Sequence, residues 1–353
     1  MIDRFCMEKV MYSSTVVEYE DNKSRKLTQS DTEDGKNSIL DQPPKENIPA
    51  EQPLIWRNII GISALHVITI YLFVTRYNEA KFWTWIFEIS YGILGALGVT
   101  AGAHRFWAHR SYSAKLPLKI LLSYLYCMAG QTHLTKWIRV HRTHHRYTDT
   151  SADPHNSNRG FFFSHVGWLM MKHHPAVKEY GKNVNMSDIA ADPVIRFFDK
   201  YYPPIMLSLC FVLPILIPVY IWNETWIISI AATITRYIFM LNAAFAVNSF
   251  AHLCGTRPYN RNLKATENLT VSIVTFGEGW HNYHHSFPWD YKAAELGLYR
   301  VNLTTAFIDF MAWIGLAYDL KTSSFEIIDS LCTKKGDGTA SQNRTQSRYT
   351  AIK

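Results

Sequence analysis

The 353-residue sequence has no C-x-x-C pair, and its five cysteines, Cys6, Cys127, Cys210, Cys254 and Cys332, follow no zinc spacing. With Cys127 and Cys210 inside apolar runs, they read as reduced thiols without a disulfide framework. H-E-x-x-H is missing, which weighs against a membrane zinc protease. The paired Glu-x-x-His motifs of soluble di-iron bundles are missing too. The first fifty-odd residues are polar and rich in charge, Ser and Pro, without the apolar core of a signal peptide. No basic stripe is interleaved with a reader motif, so the net charge of +7 implies no nucleic-acid partner. That charge suits a protein facing anionic lipid or an anionic substrate headgroup.

What is present is a set of long apolar runs and 14% aromatic residues. Mean hydropathy near zero conceals the runs, because polar ends dilute them. Residues 1–53 lack hydrophobic periodicity and read as a disordered arm. Apolar spans follow at about 54–75, 82–101, 202–222 and 226–247, each close to the ~20 residues a helix needs to cross a bilayer. Trp83, Trp85, Trp222 and Trp226 flank the two tight turns, as an interfacial aromatic belt requires. The run Leu116 to Gln131 is short and carries Lys119. A crossing there would separate His104 and His109 from His141, so it reads as an interfacial or buried amphipathic helix. The expected fold is all-α and integral to a membrane, with four spans in two hairpins under a histidine-rich helical cap. Arg and Lys across 102–200 place that cap and both termini in the cytosol. The domain runs over 54–322, and 323–353 reads as a polar, basic tail.

Nine of the fifteen histidines fall into motifs. His141, His144 and His145 are spaced i, i+3, i+4, which puts three imidazoles on one helix face. His281, His284 and His285 repeat the pattern. His104 and His109 stand at i, i+5, which implies a helix end or distortion. Asn248 and His252, at i and i+4, sit where the last span leaves the membrane. Nine imidazoles and an amide are too many for one tetrahedral zinc and suit two metal ions. Nitrogen ligands with positions open to O2 point to redox iron. Their place beside apolar hairpins implies a lipid-like substrate. A metal-binding transporter or scaffold is the competing class, but a transporter carries polar ligands at the bilayer midplane. Here the histidines cluster at helix ends and in loops.

Residues 104–109, 141–145 and 281–285 resemble the three histidine boxes of the membrane fatty acyl-CoA desaturases, the stearoyl-CoA desaturase-like family. Residues 248–252 resemble that family's further ligand segment. The similarity runs from about Trp56 to Thr322 and includes residues 100–104, 152–156 and 160–168. The stretch from Ser286 through Asp319 looks most like the insect, particularly moth, branch. The resemblance implies two irons, a kinked tunnel for a long-chain fatty acyl-CoA, and O2 as oxidant. It also implies cytochrome b5 and its reductase as separate electron donors, and the endoplasmic reticulum membrane as location. Carried over residue by residue, it assigns Arg139 and Lys172 to the CoA phosphates and Asn58 to the headgroup region. Trp137 and Gln131 fall at the tunnel bend.

Three positions depart from the family. Val140 stands where many members have Asp, and Ala244 and Phe245 stand where many have Thr and Trp near the chain. Gly92, with Gly95 and Ala96, forms a small-residue face that reads either as close helix packing or as a longer tunnel end. These departures leave Δ9 and Δ11 both open, with a pheromone-type enzyme included. A conjugase or hydroxylase using the same irons is the nearest alternative, because box spacing does not determine where the chain sits after the first C–H cleavage. Glu88 and Arg236 lie inside spans, where unpaired charge is costly, so a structural pairing or snorkelling is expected.

Overall fold

In the computed structural model, residues 52–295 and 301–340 are described. Most of the expected N-terminal arm and the last part of the tail lie outside them. Among the described residues, length and apolar composition give four helices able to cross a bilayer, Trp56–Glu79, Phe82–Ala108, Tyr202–Trp222 and Trp226–Leu253. The chain is therefore a mostly helical, multi-pass membrane protein. We label α1 (Trp56–Arg76), α2 (Phe82–Leu97), α3 (Leu116–Met128), α4 (Leu134–Arg146), α5 (Tyr202–Trp222), α6 (Trp226–Asn248) and α7 (Phe250–Leu253). Beyond them come α8 (His281–Ser286), α9 (Leu303–Trp313) and α10 (Phe325–Lys335).

The two hairpin turns meet. Lys81 Nζ donates to the carbonyls of Trp222 and Asn223 at 2.8 and 2.5 Å. The Lys81 N–H and the Thr84 hydroxyl both donate to Glu224 Oε2, at 2.9 and 2.6 Å. Both turns thus lie at one end of the bundle, and the histidine groups gather at the other. Asn223-Glu224-Thr225 is a glycosylation sequon by pattern, and this clamp holds its backbone, with Glu224 buried.

The helix α3 does not cross. Its thirteen residues are too few, and its faces differ: Leu118 and Leu122 are fully buried while Leu116, Ile120, Leu121 and Tyr124 are exposed. The buried face packs so tightly on α2's extension that a Cβ at Gly98 would stand 2.1 Å from the Tyr126 nitrogen. That approach requires glycine.

Glu88 and Arg236 pair with each other inside the bundle. Arg236 Nε donates to Glu88 Oε2 at 2.6 Å, the Thr233 hydroxyl donates to Oε1 at 2.8 Å, and Arg236 Nη2 donates to the Cys210 carbonyl at 2.6 Å. Of the two expectations, pairing is what the structure has. Removing one partner strands the other charge, so Glu88→Ala is expected to cost about 3–5 kcal/mol. Glu88→Gln, which keeps an oxygen for Thr233, should fold and turn over. Thermal unfolding in detergent and product assay check both. An unfolding midpoint unchanged in Glu88→Ala would contradict the pairing's structural role.

Cys127, Cys210 and Cys332 are free thiols, as expected of reduced cysteines. The expected tail begins with α10, whose Ile328 is buried against Tyr259, Tyr283 and Phe287.

Candidate metal centre

The i, i+5 pair in the first motif has a direct structural cause. After Leu97 the helix widens into π-helical turns over Gly98–Ala108, and the His109 N–H donates to the His104 carbonyl at 3.0 Å, an i to i+5 bond. The wider turn brings residues five apart to one face. It also carries the helix past 101, the expected end of the span. His141, His144 and His145 project from the last turns of α4, and His281, His284 and His285 from α8. Both helices present their triplets inward.

The nine imidazoles converge on two points. His104, His109, His141, His145 and His284 form one group, and His144, His252, His281 and His285 form another. Within the first, Nε2 atoms stand 2.9 Å apart for His104 and His284, 2.7 Å for His109 and His141, and 3.0 Å for His145 and His284. Within the second, the separations are 3.3 Å for His144 and His285, and 3.1 Å each for His252 and His281 and for His281 and His285. Burial first, then the neighbouring imidazoles, hold His141, His145, His281, His284 and His285 well below the usual histidine range. Neutral rings turned nitrogen to nitrogen cannot all donate and accept among themselves. A cation at each centre takes every lone pair at once, so the donor set fits two metal ions.

Outer carboxylates favour the same arrangement. His104 Nδ1 is 2.7 Å from Glu278 Oε2, and His144 Nδ1 is 2.9 Å from Asp153 Oδ1. A longer contact of 3.7 Å joins His252 Nδ1 to Asp149. A carboxylate on Nδ1 holds the proton there and leaves the Nε2 lone pair for a metal. Burial opposes the ionisation of Glu278, but Arg105 and His104 outweigh it and hold the carboxyl down at about 2. Arg105 is itself almost fully enclosed. It donates to Glu278 Oε1 through Nε and Nη2, and to the Tyr291 and Lys292 carbonyls and the Thr305 hydroxyl through Nη1. The first histidine motif is thereby anchored to α9.

Glu278, Asp149 and Asp153 were not singled out as site residues from the sequence. Asp153 stood only inside a motif. Glu278 carried one signal, its Glu-x-x-His spacing before His281, although its contact is with His104. A third close group joins His144, Asp153 and His155. Asn248 lines the adjoining cavity.

A cavity of about 560 Å³, within the range of ligand sites, runs past both groups. Asn58, Gln131, Trp137, Val140, Ala244 and Phe245 line it, as do Gly92, Gly95 and Ala96. Asn58 also donates from Nδ2 to the Leu169 carbonyl at 2.7 Å. Arg139 and Lys172 are not among its lining residues; Lys136 and His173 are. Arg139 instead donates to the Gly181 carbonyl at 3.3 Å, and the Lys172 N–H donates to Pro53.

Beneath α8, the Tyr283 N–H donates to Glu267 Oε1 at 2.8 Å, yet loss of hydration pushes that carboxyl up to about 8. The folded protein then keeps a proton on Glu267 that the unfolded chain sheds near 4.5. Between those values the folded state binds more protons, so stability falls as pH rises. Glu267→Gln is expected to raise the unfolding midpoint at pH ~9 by several degrees and to change it little at pH ~5. Equal shifts at both would contradict this.

The family model for fatty acid desaturase matches residues 80–304. An acyl-CoA Delta-9 desaturase of Acheta domesticus is 50% identical over 295 residues, covering 83% of this chain and 82% of that protein. A (11Z)-hexadec-11-enoyl-CoA conjugase of Bombyx mori is 50% identical over 291 residues, 82% of this chain and 88% of the other. An acyl-CoA Delta(11) desaturase of Spodoptera littoralis is 50% identical over 286 residues, 81% and 85% of the two chains.

Proposed function

The chain belongs to the fatty acid desaturase family, and from that premise we propose that it is an O2-dependent acyl-CoA desaturase, an oxidoreductase that places a double bond in a long-chain fatty acyl-CoA. The observation that carries this is the pairing of two convergent histidine groups with one largely apolar cavity that touches both.

His104, His109, His141, His145 and His284 would hold one iron, and His144, His252, His281 and His285 the other, with Asn248 beside the second. When bound, the irons supply the oxidising power, drawn from O2 and two electrons, that removal of hydrogen from an unactivated methylene pair demands. The chain's own residues do the rest. Glu278, Asp153 and Asp149 orient the imidazoles. Trp137, Gln131 and Phe245 line the cavity and restrict which methylenes rest beside the ligands, and only those held there react. Apolar walls exclude water from the reacting segment. The headgroup end is assigned to Asn58, Arg139 and Lys172, with Lys136 and His173 added by their place on the cavity wall. Cytochrome b5 and its reductase are proposed as the electron source, as the resemblance to the membrane acyl-CoA desaturases implies. The excess of Arg and Lys between the hairpins supports a cytosolic cap, and the endoplasmic reticulum membrane is the location that the family resemblance implies.

Overall identity does not separate Δ9 from Δ11, since relatives with both names stand at 50%. The conjugase at the same identity makes conjugated-diene formation the second reading. Gly92 bears on chain length. A Cβ there would lie 2.8 Å from the flexible end of Met240, so the position both packs and opens space. Gly92→Phe is expected to shift products towards shorter acyl chains, read by gas chromatography; an unchanged chain-length profile would assign the glycine to packing alone. Expression in desaturase-deficient yeast, with double-bond location by mass spectrometry, tests the function and its position together. Growth without added unsaturated fatty acid, and a new monoene at one position, are expected; no new unsaturated product from an inserted chain would overturn the proposal.

A further inference from the structure

Outside the two histidine groups, four polar side chains form a continuous line from the middle of α1 to the start of α7. His66 Nδ1 lies 2.8 Å from the Ile62 carbonyl, and His66 Nε2 lies 3.0 Å from Asn242 Nδ2. Asn242 Oδ1 lies 3.2 Å from His165 Nε2, and His165 Nδ1 lies 2.8 Å from the Ser249 hydroxyl.

Donor and acceptor logic fixes the protons from His66 to His165 in this line. The Ile62 carbonyl only accepts, so His66 Nδ1 carries a proton and its Nε2 accepts from the Asn242 amide. That amide also donates to the Ile238 carbonyl at 2.8 Å, which rules out the flipped orientation. Asn242 Oδ1 must then accept from His165 Nε2–H. Burial holds the His165 imidazole below its ordinary value. A neutral ring leaves Nδ1 as an acceptor 2.8 Å from the Ser249 hydroxyl, whose single proton is shared between Nδ1 and the Phe245 carbonyl at 3.0 Å. An amide in the middle makes the line a poor proton path and a good brace.

The brace ends where it matters for the metal centre. Ser249 is fully buried and marks the break between α6 and α7. Its carbonyl accepts from the His252 and Leu253 N–H groups at 3.1 and 3.0 Å, which sets the turn that presents His252. Phe161, stacked on His165 at 5.2 Å, closes the ring's other side and meets Phe250 edge-on at 4.8 Å.

We propose that His165 is a positioning residue: through Ser249 it fixes the α6–α7 break that carries Asn248 and His252 to the second metal position, and through Asn242 and His66 it ties that break to the first span. The inference rests on the two-metal reading above. It assigns no chemical step to His165, which touches neither metal position nor cavity.

The test uses full-length protein in detergent, loaded with ⁵⁷Fe and examined by iron analysis and Mössbauer spectroscopy. His165→Ala and Ser249→Ala are each expected to weaken iron retention at the four-histidine position by about tenfold or more, leaving the signal from the five-histidine position in place. The double variant should lose no more than either single, since both cut one line. His165→Gln, which can still accept from Ser249 and donate to Asn242, should recover most of the loss. Two irons with an unaltered spectrum in His165→Ala, additive losses in the double variant, or no recovery with Gln would each overturn the inference. Should His165→Ala fail to fold, Ser249→Ala alone decides it by the same readout. A wild-type protein holding fewer than two irons overturns the two-metal reading and this inference with it.

Discussion

Alanine at His144 is expected to abolish turnover while leaving the chain inserted in the membrane. The side chain is buried at 2% exposure, with Nδ1 on Asp153 and Nε2 facing the four-histidine group. Removing it takes one of four imidazoles from that group and leaves Asp153 without its principal partner. Burial works against a proton on His144, but Asp153 outweighs it and holds the ring above its ordinary value. The pair is thus coupled strongly enough that losing one member disturbs the other. His284→Ala should act alike from the other group, where its Nε2 lies about equally near His104 and His145. In both variants iron per chain is expected to fall from two to one or fewer, with product undetectable and membrane extraction unchanged. The four spans draw their stability from apolar surface remote from either ring. Full iron and normal turnover in either variant would remove that residue from the site.

The second large effect is expected at Glu278. Its carboxylate serves two buried partners at once, His104 Nδ1 at 2.7 Å and the Arg105 guanidinium at 2.8 Å. Glu278→Ala leaves Arg105 enclosed with only neutral acceptors. Loss of such a partner costs about 3–5 kcal/mol. It also frees the His104 ring, and loss of an orienting carboxylate lowers metal affinity or activity by about 10–100-fold. Glu278→Gln keeps the shape and one acceptor, so it should fold better than Glu278→Ala while still binding metal more weakly than wild type. Iron titration and thermal unfolding separate the two effects. Equal behaviour of Ala and Gln in both assays would show that the negative charge alone matters.

The histidine triplets were legible because their spacing repeats a helix face, and helical periodicity is a strong local signal. The i, i+5 pair announced a distortion, and the π-helical turns over Gly98–Ala108 are that distortion. The status of α3 followed from topology, since a fifth crossing would have split the histidines. The orienting carboxylates were harder to see. They are three among 29 acidic residues, and their partners lie on other elements, up to 174 positions apart in the case of Glu278 and His104. The headgroup end shows the same limit. The resemblance assigned Arg139 and Lys172 to the CoA phosphates, yet Lys136, one helical turn before Val140, is the lysine on the cavity wall. Hydropathy at the tail masked α10, because a helix that buries chiefly Ile328 leaves little apolar pattern.

The most direct test of the central claim is the mass of the product. Membranes carrying the chain are supplied with a long-chain saturated acyl-CoA, O2, cytochrome b5 and its reductase with NADH. The account predicts an acyl chain lighter by two hydrogens, formed only with O2 and absent from membranes carrying His284→Ala. A product heavier by one oxygen, or an unchanged substrate in the presence of every component, would contradict it.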